Sequence, residues 1–123
     1  MNYKDLEIWK LANEIVIEIH SITLNDLPSF EMYETGSQIR RSSKSVKSNI
    51  VGGFGRRNSK KEFLHFLRYS LGSNHETIDH LETLYSTGSL KNWDKYAEMQ
   101  KKLIQLGKKL TMFIKAVEKD HRT

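Results

Sequence analysis

The sequence predicts an all-α protein, folded as an antiparallel up-and-down four-helix bundle. Apolar residues recur every three or four positions in four separate stretches, which is the spacing of a helix that buries one side. Short polar connections join these stretches, so consecutive helices are expected to run antiparallel. The 123 residues include one proline, Pro28, and no stretch alternates apolar and polar residues as a half-buried strand would. We expect a single domain covering residues 1–123.

The first two helices are predicted at about residues 5–24 and about residues 31–51, separated by the segment NDLPS. The apolar seam of the first is formed by Ile8, Ala12, Ile15, Ile19 and Ile22. The seam of the second is formed by Met32, Gly36, Ile39, Ser43, Val46 and Ile50. Its small residues allow a neighbouring helix to approach closely. The segment GGFG, residues 52–55, is expected to end the second helix, because glycine readily adopts the left-handed conformation at a helix C-terminus.

The third and fourth helices are predicted at about residues 59–86 and about residues 92–118. Ser59 and Glu62 have the spacing of a capping box at the start of the third helix. The seam of this helix is Phe63, Leu67, Ser70, Asn74, Thr77, Leu81 and Leu84. The turn STGS, residues 86–89, follows it. The seam of the fourth helix is Tyr96, Met99, Leu103, Leu106, Leu110, Phe113 and Val117.

A second apolar line lies beside the seam of the third helix and repeats every seven residues. It consists of Leu64, Leu71, Ile78 and Tyr85. One interpretation is a wide face buried in the core of the bundle. The other is an interface between subunits, since exposed apolar stripes seldom remain uncovered. Both interpretations are compatible with the sequence.

The positive charge of the chain is concentrated in one segment. The chain has 20 Lys+Arg and 15 Asp+Glu, a formal net charge of +5, yet no acidic residue lies between Glu34 and Glu62. The basic segment, residues 38–63 (QIRRSSKSVKSNIVGGFGRRNSKKEF), holds eight of the cations, so the remainder of the chain carries a slight negative charge. These cations are Arg40, Arg41, Lys44, Lys47, Arg56, Arg57, Lys60 and Lys61. They predict a surface that binds the phosphates of RNA or DNA.

The surroundings of the basic segment predict contact with the nucleic-acid backbone rather than with bases. No row of aromatic residues is evident beside the cations, as a base-stacking platform would require. The segment GGFGRR, residues 52–57, also does not fit a nucleotide-binding loop. Such a loop follows a strand and ends in Gly-Lys-Ser/Thr, whereas this segment follows a helix.

The sequence gives no sign of an enzyme, a metal site or a cofactor. The pairs Glu62/His65 and Glu118/His121 have the Glu-x-x-His spacing of di-iron bundles, but both lie off the apolar seams. The chain has no cysteine nucleophile and no glycine-flanked serine elbow, and no buried carboxylate pair is evident. We expect a non-enzymatic protein with no catalytic residues, no metal and no cofactor. The lack of cysteine, of an apolar leader and of a long apolar stretch predicts a soluble cytoplasmic protein without a membrane partner.

Several stretches of the chain resemble the four-helix-bundle proteins encoded in intervening sequences of bacterial 23S ribosomal RNA genes. The opening YKDLEIWK, residues 3–10, resembles the usual start of that family. The segment QIRRSSKSVKSNI, residues 38–50, resembles its signature, and GR at residues 55–56, SKKEF at 59–63, FL at 66–67 and LGS at 71–73 continue the match. One departure is Val51-Gly52-Gly53, where the family usually has Ala-Glu-Gly, so a carboxylate is missing at Gly52.

The resemblance implies an antiparallel four-helix bundle that assembles as a homopentamer. It also implies similarity to the accessory protein of diversity-generating retroelements, a basic pentameric bundle that binds nucleic acid and a reverse transcriptase. Our main hypothesis is a non-enzymatic, oligomeric protein that binds RNA or DNA through phosphate contacts. The alternative is a structural adaptor for a protein partner such as a reverse transcriptase.

Overall fold

The computed structural model describes residues 1–120 and confirms the four-helix bundle. Its helices are α1 (Glu7–Asn25), α2 (Thr35–Gly55), α3 (Lys60–Ser86) and α4 (Trp93–Glu118), and this part of the chain contains no strand. Each helix packs against two neighbours in the order α1, α2, α3, α4 and back to α1, while the diagonal pairs stay apart. None of the four helices combines the length and apolar character needed to span a membrane.

The predicted seams form the core of the bundle. All seven predicted seam residues of α3 are buried, and from Ile39 onward so is the predicted seam of α2. The seam of α4 rotates near its end, so that Ile114 is buried while Phe113 is only partly covered. This rotation is expected because 3.6 residues per turn drift against a seven-residue repeat. Periodicity therefore located the core but misplaced its last turn.

The helices α2 and α3 approach each other through small side chains. The hydroxyl groups of Ser42 and Thr77 lie 2.8 Å apart, and those of Ser45 and Ser73 are also separated by 2.8 Å. Buried Ser70 donates a hydrogen bond to the carbonyl of Val46 on α2 at 2.7 Å. Later residues of α2 thus meet earlier residues of α3, from Ser42 with Thr77 to Val46 with Ser70, which confirms the antiparallel arrangement. Hydroxyl pairs replace the bulky apolar contacts that would hold the two helices further apart.

The end of α2 differs from the prediction. The helix was expected to stop at about residue 51, with a glycine in the left-handed conformation, but it continues through Gly55. Within residues 1–120, Gly88 is the glycine with a positive φ, at 83°. A Cβ atom at Gly53 would lie 3.0 Å from the Cβ atom of Phe66. The prediction was wrong because Gly53 serves close packing against α3 rather than a left-handed turn.

The helices α3 and α4 both begin at a side-chain cap, of which the sequence predicted the one at Ser59. Ser59 accepts a hydrogen bond from the backbone N–H of Glu62 at 3.3 Å, which caps α3. The N–H of Ser59 itself donates to the carbonyl of Arg56 at 3.0 Å, so the second bond of a capping box is replaced by a turn bond. Asn92 caps α4 by accepting from the N–H of Lys95 at 3.1 Å. These caps satisfy backbone groups that the helices leave unpaired.

A buried carboxylate, which sequence reasoning missed, fixes the start of α2. Residues Ser29–Met32 form a 3-10 turn instead of the first turn of α2, and Met32 is exposed. Glu31 is 3% exposed and accepts hydrogen bonds from the N–H of Gly36 at 3.0 Å and from the hydroxyl of Ser89 at 2.6 Å. Glu31 therefore joins the N-terminus of α2 to the connection between α3 and α4, where a negative charge also suits the helix dipole.

Replacing Glu31 by alanine is expected to lower the free energy of unfolding by about 2 kcal/mol. The substitution leaves the buried N–H of Gly36 and the hydroxyl of Ser89 without their acceptor, and each unpaired buried group costs about 1–3 kcal/mol, partly relieved by water. The measurement is urea unfolding followed by circular dichroism. Glu34→Ala is the control, because Glu34 is exposed and its side chain makes no capping bond. Equal losses in the two variants would contradict the role of Glu31.

Candidate nucleic-acid interface

The structure distributes the eight predicted cations along α2 and around one end of the bundle. Arg40, Arg41, Lys44 and Lys47 follow one another along α2. The other four surround the connection from α2 to α3: Arg56 and Arg57 come directly after α2, and Lys60 and Lys61 are the first two residues of α3.

Five of the cations also make contacts inside the protein. Arg40 donates to the carbonyl of Met32 at 2.8 Å, and one of its guanidinium nitrogens is buried without a hydrogen-bond partner. Lys47 donates to the side chain of Asn13 on α1 at 2.9 Å and lies 5.7 Å from the ring centroid of Trp9. These contacts belong to the packing of the bundle, so these two cations have a structural role whatever they bind.

The remaining three tethered cations lie at the end of the bundle. Arg57 donates to the carbonyl of Phe54 at 2.8 Å, with its guanidinium carbon 4.0 Å from the centroid of that ring. Arg56 donates to the carbonyl of Gly52 at 3.0 Å. Lys60 donates to the carbonyls of Glu118 and Asp120 at the end of α4. The hydrogen-bond and ring partners of these three within residues 1–120 are neutral carbonyl groups and rings, and none is a carboxylate group.

Arg41, Lys44 and Lys61 are exposed and make no hydrogen bond or ion pair with other residues of the 1–120 range. Of the eight candidates, these three offer a ligand their full set of donors. Arg41 and Lys44 lie on the outer side of α2, one helical turn apart, whereas Lys61 lies near the end of the bundle. A guanidinium and two ammonium groups in this arrangement suit phosphate oxygens.

Four cations outside the basic segment form ion pairs with carboxylates. Lys102 on α4 is surrounded by Glu14, Glu18 and Glu98. The hydrogen bond with Glu18, aided by the neighbouring carboxylates, raises the pKa of the Lys102 ammonium above its ordinary value. Lys10, Arg68 and Lys95 also pair with carboxylates, whereas no ion pair within the described residues involves any of the eight cations. Within residues 1–120, the basic segment therefore lacks the ion pairs that neutralise these four cations elsewhere in the bundle.

Aromatic side chains do adjoin the basic segment, which contradicts the expectation from the sequence. His65, Phe66 and Tyr69 form a continuous ring cluster at the start of α3. The guanidinium carbon of Arg56 lies 4.6 Å from the centroid of the Phe66 ring. The cluster was missed because these residues lie off the apolar seam of α3. The spacing of three residues between Phe66 and Tyr69, and of four between His65 and Tyr69, could have indicated the cluster, because residues so spaced lie on one side of a helix.

Gly52 brings Arg56 and the ring cluster together. A Cβ atom at position 52 would lie 3.0 Å from two carbons of the Phe66 ring and 3.6 Å from a guanidinium nitrogen of Arg56. The ring is therefore packed against the backbone of α2. A carboxylate at this position would be placed to pair with Arg56, whereas in this chain the guanidinium is bound to the Gly52 carbonyl and lies over Phe66. Gly52 lies inside α2 and not in the following turn.

The chain matches the family model of the 23S rRNA-intervening sequence protein over residues 4–112. The match includes all of α1, α2 and α3 and most of α4.

The chain belongs to this family.

A solved member of the S23 ribosomal protein family supports the fold. The chain is similar to a protein of unknown function from Bacteroides thetaiotaomicron, with a TM-score of 0.81 and 23% sequence identity. The similarity covers 91% of this chain and 98% of that one. A comparison with curated proteins gives no match. These two matches establish the family and the fold. The function has to be inferred from the surface residues of this chain.

The second apolar line of α3 lies partly in the core. Leu64 is buried, and Leu71, Ile78 and Tyr85 are half-buried and pack against the core. Ile78 also lines a groove of about 560 Å³ between α3 and α4, together with exposed Ile104 and Met112. The assignment of the four residues to a subunit interface stays a prediction, and the groove adds two apolar residues of α4 to it.

Within residues 1–120, no cluster of metal ligands includes Glu62, His65 or Glu118. Glu62 and His65 are both exposed at the start of α3, and Glu118 forms an ion pair with Arg68 at 2.8 Å. His121 lies outside the described residues. Among residues 1–120, no three His, Cys, Asp or Glu side chains are grouped to hold a metal ion.

Proposed function

We propose that this member of the 23S rRNA-intervening sequence protein family is a non-enzymatic protein that binds RNA or DNA through phosphate contacts. The observation that carries the proposal is the uncompensated charge of α2 and the following connection. Eight cations lie there without an acidic residue between Glu34 and Glu62 and without an ion pair to any described carboxylate. Such a surface attracts polyanions from a distance and holds them by charge-assisted hydrogen bonds.

The contacts of each cation inside the bundle determine the role that we propose for it. Arg41, Lys44 and Lys61 bind phosphates directly because they are exposed and make no contact that must be broken. Arg56 and Arg57 bind phosphates with their remaining N–H groups while rings and carbonyls hold them in place. Arg40, Lys47 and Lys60 add positive potential near the ligand. Phosphate contacts of this kind position a nucleic acid without reading its sequence.

Assembly into a ring is part of the proposal. A homopentamer would repeat the same cations five times, and linked sites gain affinity without new contacts. The half-buried residues Leu71, Ile78 and Tyr85, with Ile104 and Met112 beside them, are apolar surface that a second copy of the chain would cover. Cytoplasmic location is consistent with a nucleic-acid ligand and is proposed on that ground.

The experiment is a binding titration of the intact oligomer, whose mass is measured by native mass spectrometry. Labelled structured RNA and duplex DNA are titrated at 50 and 200 mM salt. We expect binding to both, with an affinity that falls by at least about tenfold between the two salt concentrations, because phosphate contacts release counterions. Binding that does not depend on salt, or no binding by the intact oligomer, would contradict the proposal. The second outcome would favour an acidic protein surface, such as that of a reverse transcriptase, as the partner.

A further inference from the structure

The ring cluster formed by His65, Phe66 and Tyr69 lies on the outside of the bundle. The rings of His65 and Tyr69 meet edge to face, with centroids 4.5 Å apart and planes at 82°, and those of His65 and Phe66 have centroids 6.1 Å apart. Tyr69 is 59% exposed, although an aromatic ring is costly to leave in water. The contact with His65 orients the Tyr69 ring, and more than half of the Tyr69 surface remains available to a ligand.

Arg56 extends the cluster toward α2. The carbonyl of Gly52 and the ring of Phe66 together fix its guanidinium group, which remains exposed to solvent. A side chain at position 52 would displace this arrangement, since its Cβ atom would already lie 3.0 Å from the Phe66 ring. A fixed guanidinium loses little conformational freedom when it binds a ligand.

The charges around the cluster are mainly positive. Lys61 lies one helical turn before His65 and two turns before Tyr69, and it makes no ion pair within residues 1–120. The rise of the helix places Lys61 about 12 Å from Tyr69, a length that corresponds to roughly three stacked bases. Glu62 is the one acidic residue within this stretch of α3, and it is exposed.

From this arrangement we infer that the protein binds single-stranded nucleic acid, with an unpaired base stacked on Tyr69. Arg56 contacts a phosphate of the same strand beside the ring cluster, and Lys61 contacts a phosphate about three nucleotides from that base. An oriented, exposed ring beside fixed cations is the combination that single-strand binding surfaces use, and stacking accepts any base. Bases inside a duplex already stack on each other and leave no face for Tyr69. This inference rests on the proposed function, and it adds a preference for unpaired strands to the phosphate contacts that single strands and duplexes both offer.

The test compares three labelled ligands of equal length: an oligoadenylate, the same sugar–phosphate chain without bases, and a duplex. The intact oligomer of the natural protein is expected to bind the oligoadenylate about tenfold more tightly than the abasic chain. Tyr69→Ala is expected to remove that difference and to leave abasic binding unchanged. Tyr69→Phe is the matched control and should retain it, because stacking needs the ring and not the hydroxyl.

The possible outcomes separate the inference from the proposed function. Equal, salt-dependent binding of the oligoadenylate and the abasic chain would overturn the inference and leave phosphate binding intact. Failure to bind any of the three ligands would overturn both. If Tyr69→Ala lowers the mass of the oligomer and weakens all three ligands alike, Tyr69 is an assembly contact and the inference is wrong. A thermal melt of each variant shows that the fold is unchanged, as expected for a side chain outside the core.

Discussion

Reversing the charge of Arg41, Lys44 and Lys61 to glutamate is expected to weaken nucleic-acid binding by at least about a hundredfold. All three are exposed and lack an internal partner, so each substitution removes a phosphate contact and adds a repulsive charge. A hydrogen bond to a charged group contributes about 1.5–3 kcal/mol, and three such losses easily reach a hundredfold in the dissociation constant. The slope of affinity against salt concentration, on logarithmic scales, should fall by about three.

The control for this variant carries the same change in net charge at another surface. Lys4, Lys91 and Lys101 are exposed, lie outside the basic segment and make no side-chain bond within the described chain. Reversing them to glutamate should reduce affinity by only a few-fold, through the weaker long-range field. Equal losses for the two triple variants would show that net charge alone drives binding and that α2 holds no defined site.

This choice of residues depends on the structure. From the sequence, Arg40, Lys44 and Lys47 share one side of α2 and are the natural set to reverse. Arg40 and Lys47, however, bond to Met32 and Asn13 within the bundle, so their substitution would also disturb the packing. A loss of binding in that variant would have two explanations.

Gly36→Ala is expected to destabilise the protein by about 2 kcal/mol, whereas Gly72→Ala should stabilise it by about 1 kcal/mol. A Cβ atom at Gly36 would lie 2.4 Å from the carbonyl oxygen of Glu31, which is backbone and cannot move aside cheaply. Gly72 lies within α3 and a Cβ atom there meets nothing within 4 Å, so alanine only improves helix propensity.

Thermal unfolding of the two variants measures this difference. For a chain of this size about 1 kcal/mol corresponds to roughly 4 °C in Tm, so the two values should differ by about 12 °C. Because both substitutions are glycine to alanine within a helix, the effect of propensity is common to them and cancels. Equal shifts in Tm would mean that the contact between Gly36 and Glu31 does not limit the packing of α2.

The four helices and most of the core could be predicted from the sequence, because burial imposes a repeat of three and four residues that is legible without the structure. The start of α2 could not, since Glu31 has the polarity of a surface residue and its partner Ser89 is 58 positions away in the chain. The end of α2 was misjudged for a related reason. Glycine signals both left-handed turns and close packing, and only the position of Phe66 decides between them.

The candidate site was predicted as a set of charges but not as an arrangement. The sequence reveals that no acidic residue interrupts the run of eight cations, and in the bundle none of them forms an ion pair within residues 1–120. It does not reveal which of them bond to carbonyls or lie over rings, because some of those contacts, such as that of Lys47 with α1 and that of Lys60 with the end of α4, join different helices. The contact between Arg56 and Phe66 could not be predicted for the same reason, because it forms where α2 and α3 meet at Gly52.

The composition of α2 couples ligand binding to folding. Nine of its 21 residues are glycine or serine, its first turn has no acidic residue, and like charges follow one another along it. Such a segment has little helical tendency of its own and owes its shape to its neighbours in the bundle. A polyanion that neutralises α2 would therefore raise the melting temperature of the whole domain, and any stress that loosens α2 would release the polyanion.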